Sequence, residues 1–263
     1  EMQSSTASLS LDGGAAAFST FPAIAAGDSQ TNAEPFRVIV PSDLRCGSAA
    51  LFQLRVTNDA GTFTLPIRVR VGRAGEEETL MYDDVDSMRV KWKAKKGFTV
   101  ATGVGTSGAM SYHVVDPGKE SNDSRLSDLK LKKKISIPSG AGHIRLTFFH
   151  IFNFEPGFDG GVLEISADNG STWEDLGSRI IAGGYDGKVT SASGNPLGNR
   201  FAWTSRGRAG VFSQVVINLD DFAGQRIQLR FRAGFDGATG VRDGFMGWFI
   251  DDIRLTATSF LCR

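Results

Sequence analysis

The chain has 263 residues, 41% of them hydrophobic, with 29 basic and 29 acidic side chains and a formal net charge of zero. That composition favours a globular protein over a disordered one and argues against a nucleic-acid partner, which draws on a basic excess. No apolar run approaches the roughly 20 residues that span a bilayer, so no membrane span is expected. The 32 Gly and 19 Phe point to many strands joined by tight turns, because Gly supplies unusual backbone angles and Phe suits a pleated, half-buried surface.

The chain opens at Glu1 without an initiator Met or a signal-peptide pattern and reads as a mature or excised piece. Helical periodicity is nearly absent, and the fold class expected is all-β. In Ala50–Val56 and again in Phe63–Val71 apolar residues fall on every second position, with Arg68 and Arg70 on the opposite face. Asn58-Asp59-Ala60-Gly61 lies between them, so the pair is expected to form a hairpin. Pro66 cannot donate to a ladder, which places its strand at an edge or a bulge. The polar stretch Gly72–Thr79 follows and reads as a boundary. It divides a small unit, residues 1–72, from a longer one, residues 73–263.

In the longer unit strands are expected at Arg89–Trp92, Thr99–Ala101, Tyr112–Val115, Leu129–Ile137, His143–Phe154, Gly161–Ser166, Gln214–Leu219, Arg226–Ala233 and Gly247–Thr256. Lys130, Lys132 and Lys134 read as a solvated strand face rather than a polyanion site. The stretches Ala182–Arg200 and Gly234–Phe245 read as long loops, a length that usually carries function or mobility.

Gly103-Val104-Gly105-Thr106-Ser107-Gly108 satisfies the dinucleotide fingerprint, but the residues after it read as a strand where a helix would be needed, so a nucleotide site is rejected. Ser166-Ala167-Asp168-Asn169-Gly170-Ser171-Thr172-Trp173 matches the Asp-box pattern, read here as a structural turn in which Asp168 caps the backbone and Trp173 packs beneath. His113, His143 and His150 have no zinc spacing, and no nucleophile motif is present, so no enzyme is expected.

Carboxylates are more informative. Strict alternation puts Asp251 on a face with Phe249 and Ile253, and Asp252 on a face with Trp248 and Ile250. Ionised carboxylates among apolar neighbours need a partner. The choices are an arginine (Arg242 or Arg254), backbone N–H caps, or a hard cation. Asp83, Asp84, Glu155 and Asp159 would bring further oxygens, and calcium accepts six to eight of them in flexible geometry. Cys46 and Cys262 either pair or stand as two thiols.

The run Phe148–Ser166, with Asp168-Asn169-Gly170, Trp173, Gly194-Asn195-Pro196-Leu197, Ala202-Trp203, Leu219–Gln225 and the closing Gly247-Trp248-Phe249-Ile250-Asp251-Asp252-Ile253, resembles the MAM-like jelly-roll modules of secreted bacterial proteins. Such modules are appended to metalloproteases of the immune-inhibitor-A and fungalysin types and to other large exported proteins. Tyr82–Asp86 looks like the opening strand of the same module, and the resemblance covers roughly residues 79–256. The preceding region looks like the Ig-like domain often found upstream, beginning after that domain's first two strands, so its sandwich is expected to be incomplete. The resemblance implies an extracellular or cell-surface, non-catalytic accessory region serving adhesion, glycan or substrate binding, or stabilisation of a parent protein. Tyr185, Phe201 and Trp203 are the expected contact aromatics, with core packing as their other reading. Expected partners are parent-protein domains, a glycan or cell-surface polymer, or neighbouring subunits. The last case is a structural subunit of an extracellular assembly, completed by a strand from a neighbouring chain. A third reading is a C-terminal fragment of a secreted metalloprotease.

Overall fold

A computed structural model describes residues 5–11, 17–23, 31–37, 44, 46–87, 91–118, 126–191, 194–207, 210–238, 240, 244 and 246–262. The chain divides into two compact units, one of residues 1–75 with 260–263 and the other of residues 76–259.

The first unit holds one antiparallel sheet in the order β2-β1-β3-β4, with β1 Ser5–Leu11, β2 Ala17–Phe21, β3 Ala49–Asn58 and β4 Gly61–Arg70. The β3–β4 hairpin turns at Asp59-Ala60, where the Asn58 side-chain oxygen accepts the Ala60 N–H at 3.0 Å and Gly61 adopts φ +132°. Pro66 lies opposite Gln53 on the edge strand β4, where its missing N–H leaves no gap in the sheet. Phe52, Leu54 and Val56 lie opposite Ile67, Leu65 and Phe63, so one face of the hairpin is apolar. Only Ala50 and Phe52 are buried there; Phe63 remains 50% and Leu65 54% exposed. Cys46 and Cys262 form a disulfide with Cα atoms 5.6 Å apart. Gly72 sits against it at φ +104°, where a Cβ would come within 2.9 Å of Cys262 Sγ.

Strand β5 Arg73–Asp83 leads into the second unit, followed by β6 Trp92–Lys95, β7 Phe98–Thr102, β8 Met110–Val114, β9 Leu126–Leu131, β10 Ile135–Ser136, β11 Ala141–Asn153 and β12 Gly160–Ser166. The short β13 Glu174–Asp175, β14 Ile180–Ala182, β15 Gly187–Lys188 and β16 Phe201–Ala202 come next. Then follow β17 Ser213–Asn218, β18 Arg226–Gly234 and β19 Gly247–Leu261. One sheet runs β13-β12-β18-β9-β6 with β10 on β18, and the other β14-β17-β11-β19-β8-β7 with β5 on β19. The two stack as a β-sandwich. Phe231 of the first sheet meets Phe148 of the second edge-on at 5.0 Å and Trp248 at 5.7 Å. A Cβ on Gly161 would fall 2.7 Å from the Trp248 ring, so only glycine lets β12 approach the indole this closely.

Three sequence expectations change. The polar stretch Gly72–Thr79 is mostly strand: β5 begins at Arg73 and pairs with β19 through its backbone. Its exposed Glu76, Glu77 and Glu78 gave no apolar alternation to read. The segment Leu129–Ile137 breaks into β9 and β10 around Lys132-Lys133. The closing strand is not strictly alternating either. Phe149 pairs with Asp251 and Thr147 with Arg254, so β19 carries one extra residue, at a bulge where Asp252 takes φ +47°. Trp248, Ile250, Ile253 and Leu255 therefore share the core face, and Asp251 parts company with Ile253. Part of the expected strand Arg89–Trp92 lies outside the described residues.

Candidate functional site

Of the carboxylates singled out by the sequence, Asp83, Asp84, Asp251 and Asp252 are satisfied by protein donors. Asp83 accepts from the Tyr112 hydroxyl and the Val85 N–H, both at 3.1 Å. Asp84 takes the Ser87 N–H at 2.9 Å, which holds its pKa below the usual carboxylate range. Asp251, fully buried, accepts the N–H groups of Thr106 and Asp252 at 2.7 Å each. Asp252, turned outward by its bulge, accepts the hydroxyls of Tyr82 and Ser107 at 2.7 Å each. Arg254 turns to Thr79 at 2.9 Å, and Arg242 lies outside the described residues. The Gly103–Gly108 loop thus caps an aspartate, and β8 rather than a helix follows it.

Glu155 and Asp159 belong to a different arrangement, joined by Asp236, with ligand oxygens of all three within 4.8 Å of one another. Asp116 adjoins them, its carboxyl within hydrogen-bonding reach of Asp159. Strand ends put them there. Asp116 follows β8, Glu155 and Asp159 occupy the turn after β11, and Asp236 follows β18. A bridge between Pro117 and Gly240 ties two of these loops. Asp159 Oδ1 accepts the Asp236 N–H at 2.7 Å, and Asp116 Oδ1 the Gly118 N–H at 2.9 Å. The second oxygens, Asp159 Oδ2 and Asp116 Oδ2, are buried with no hydrogen-bond donor. Burial pushes the pKa of both groups up, and Asp116 adds to the rise at Asp159.

Two adjacent carboxylates with orphaned oxygens can share one proton or share a cation. A set made only of carboxylate oxygens suits a hard divalent ion, so the residues fit a metal. Glu155, Asp159 and Asp236 would hold it, with Asp116 beside Asp159. Asp116 and Asp236 escaped the sequence reading, although a signal exists: Asp116-Pro117-Gly118 and Asp236-Gly237 each directly follow a strand, as Glu155–Asp159 does.

The proposed contact aromatics separate. Trp203 is 1% exposed, edge-on to Tyr185 at 4.7 Å, with its indole N–H on the Gly183 carbonyl at 2.9 Å. Tyr185 is half-buried, its hydroxyl accepting the Leu163 N–H at 3.0 Å and donating to Asp175 at 2.9 Å. Both pack in the sandwich rather than offering a surface. Phe201 is 65% exposed beside the Lys188 ammonium. In the expected long loop, Val189 and Leu197 are buried against Val162 of β12.

The outer face of β12, β18 and β9 carries charge. Glu164, 4% exposed, pairs with Arg200 at 2.7 Å and Arg230 at 2.5 Å, while Asp128 pairs with Arg232 at 2.7 Å. The Asp-box turn closes as the sequence suggests, Asp168 accepting the Thr172 N–H at 2.9 Å and hydroxyl at 2.6 Å. Trp173 lies over the Arg230 guanidinium at 4.0 Å. It packs against the turn as expected, its indole N–H on the Gly170 carbonyl at 3.2 Å. His150 is buried, His143 exposed, and His113 stacks on Phe249 at 3.8 Å.

No family model matches the chain, and no curated protein matches it. Among solved structures it is similar to the N-terminal CBM22-1-CBM22-2 tandem domain of Paenibacillus barcinonensis Xyn10C, at 12% identity and TM-score 0.38 over 97% of this chain and 73% of that one. It is similar to the mannan-recognising carbohydrate-binding module TmCBM27, at 15% identity and TM-score 0.33 over 69% and 98%. A structure of carbohydrate-binding modules of the β-sandwich superfamily with promiscuous specificity gives 12% identity and TM-score 0.33 over 99% and 86%. The likeness is one of β-sandwich architecture, and at these values it carries no ligand with it.

Proposed function

We propose that this chain is a non-catalytic accessory region of an exported protein: a β-sandwich clamped by calcium at Asp116, Glu155, Asp159 and Asp236, with a glycan or cell-surface polymer as its partner. The observation that carries the reading is the pair of buried, donorless oxygens on Asp116 and Asp159. A cation held by these carboxylates suits a compartment rich in calcium, and the Cys46–Cys262 disulfide suits an oxidising one. The residues that resemble a MAM-like module, Phe148–Ser166 and Gly247–Ile253, form the centre of this sandwich. Phe201 beside Lys188 is the contact aromatic that remains at the surface. Thermal unfolding tests the clamp. The midpoint should rise on adding calcium and fall with chelator, as binding to the folded state alone requires; equal midpoints would remove the site.

A second reading rests on β4. This edge strand leaves Phe63 and Leu65 half exposed on the apolar face of a single sheet, a surface that a strand from a neighbouring chain would cover. Light scattering decides it: concentration-dependent oligomers favour a structural subunit, and a monomer at all concentrations excludes one.

A further inference from the structure

Strands β6 and β9 are neighbours, and their register sets Lys93 directly opposite Lys130. Two residues further along, beyond the Trp92–Leu131 pair, the Lys132 N–H donates to the Lys91 carbonyl at 2.9 Å, which continues the pairing and sets Lys91 against Lys132. Strand alternation places Lys91, Lys93, Lys130 and Lys132 on one face, the outer one, because Trp92, Leu129 and Leu131 point into the core. Like charges directly opposite on adjacent strands destabilise a sheet. Here they are stacked in consecutive pairs in a protein whose net charge is zero.

Lys91 turns to the Tyr82 carbonyl, and the carboxylates on the outer face of the sheet are engaged by arginines. Asp128, opposite Lys95, is held by two nitrogens of Arg232 at 2.7 and 3.1 Å. Glu164 is held by Arg200 and Arg230. Among the described residues Lys93, Lys130 and Lys132 have no ion pair with an acid. Lysines on an edge strand are a common guard against edge-to-edge pairing, and β6 is an edge. That explains β6 but not β9, which is flanked on both sides. At one end of the array a cleft of about 700 Å³ is lined by Lys91 and Lys132–Lys134 with Glu78. At the other, the Trp173 ring lies 5.9 Å from the Lys130 ammonium.

We propose that this face binds an acidic polysaccharide, carboxylated or sulfated. The proposal rests on the glycan-binding reading above and specifies the class of glycan. Lysine backbone positions spaced about 7 Å along each strand and about 5 Å across the pair form a ladder for a linear polyanion. The indole at its end is half-buried and already stacked on the Arg230 guanidinium, so recognition rests on the lysines. A single-stranded nucleic acid fits less well, since it calls for a series of stacking aromatics within a basic protein.

The test is calorimetric titration of the whole chain with polygalacturonate, dextran sulfate, neutral dextran and a single-stranded polynucleotide, each in 50 and 300 mM NaCl. At least one acidic polysaccharide should bind, at least tenfold tighter than dextran, and weaken tenfold or more at the higher salt. The variant Lys93→Gln/Lys130→Gln/Lys132→Gln should lose tenfold or more in affinity while its melting temperature stays level or rises, because the substitutions remove repulsion. Dextran binding as tight as the acidic polymers would overturn the acidic class and leave the glycan reading standing. No binding of any polysaccharide would remove both. Tighter binding of the polynucleotide, or unchanged affinity in the triple variant, would overturn the assignment of this face.

Discussion

The indole N–H of Trp248 donates to Nδ1 of His150 at 3.1 Å inside the sandwich, so the imidazole is neutral there and carries its proton on Nε2. Phe148, Phe152 and Trp203 surround it with ring centroids 4.9 to 5.4 Å away. Burial pushes the His150 pKa down to about 3.

An acid sensitivity follows from that shift. The unfolded chain takes up a proton at His150 near pH 6.5, whereas the folded chain refuses it down to about pH 3. Between these values the unfolded state binds more protons, so this residue's contribution to stability falls as pH falls, by roughly 1.4 kcal/mol per pH unit at most. Denaturant unfolding of wild type and His150→Gln at pH 7, 6, 5 and 4 measures it. The gap between the two proteins should narrow as the solution is acidified, and a pH-independent gap would contradict the shift.

Calcium dependence should follow the cluster and ignore the other aspartates. Asp159→Asn replaces an orphaned carboxylate by a neutral amide. The expected result is a melting temperature that no longer responds to calcium and that, with chelator, is at least equal to wild type. Asp252→Asn, at a residue already satisfied by Tyr82 and Ser107, should keep the full calcium response. The reverse pattern would put the ion on the closing strand.

Trp203 and Phe201 should separate stability from binding. Trp203→Ala empties a site enclosed by Tyr185, His150 and Trp248 and should cost about 3–5 kcal/mol in chemical denaturation. Phe201→Ala, at an exposed position, should stay within about 0.5 kcal/mol of wild type.

The disulfide should stabilise the first unit selectively. In the variant Cys46→Ser/Cys262→Ser the loss is expected to be about 2–5 kcal/mol, confined to that unit. Hydrogen exchange reports it: the amides of β3 and β4 should lose protection, while those of β11 and β12 keep theirs.

Much of the fold is legible in side-chain alternation. The hairpin of β3 and β4, the Pro66 edge, the Asp168 turn and the long central strands all carry it. What escapes has a physical cause. A bulge at Asp252 shifts every later residue of β19 to the other face, and no residue type announces it, since an Asp at φ +47° looks like any other in sequence. Strand β5 is held by its backbone, so its glutamates leave no apolar trace. The acidic cluster draws its residues from three strand ends, Glu155 and Asp159 from one of them, and the tertiary pairing of Pro117 with Gly240 joins the loops that carry Asp116 and Asp236. The lysine array needs the register of β6 against β9. Read one strand at a time, Lys130, Lys132 and Lys134 are an ordinary solvated face.

The Cys46–Cys262 bond, at a sequence separation of 216, closes a covalent ring that contains the whole second unit. Secreted proteases attack exposed loops first, and a single cut anywhere within that ring releases no fragment. Both pieces stay tethered through the sulfur bridge and through whatever strands they still share. Two cuts within the ring, or one cut together with a reductant, are needed to part the molecule, which gives this small crosslink a role in endurance against proteolysis that is separate from its effect on folding equilibrium.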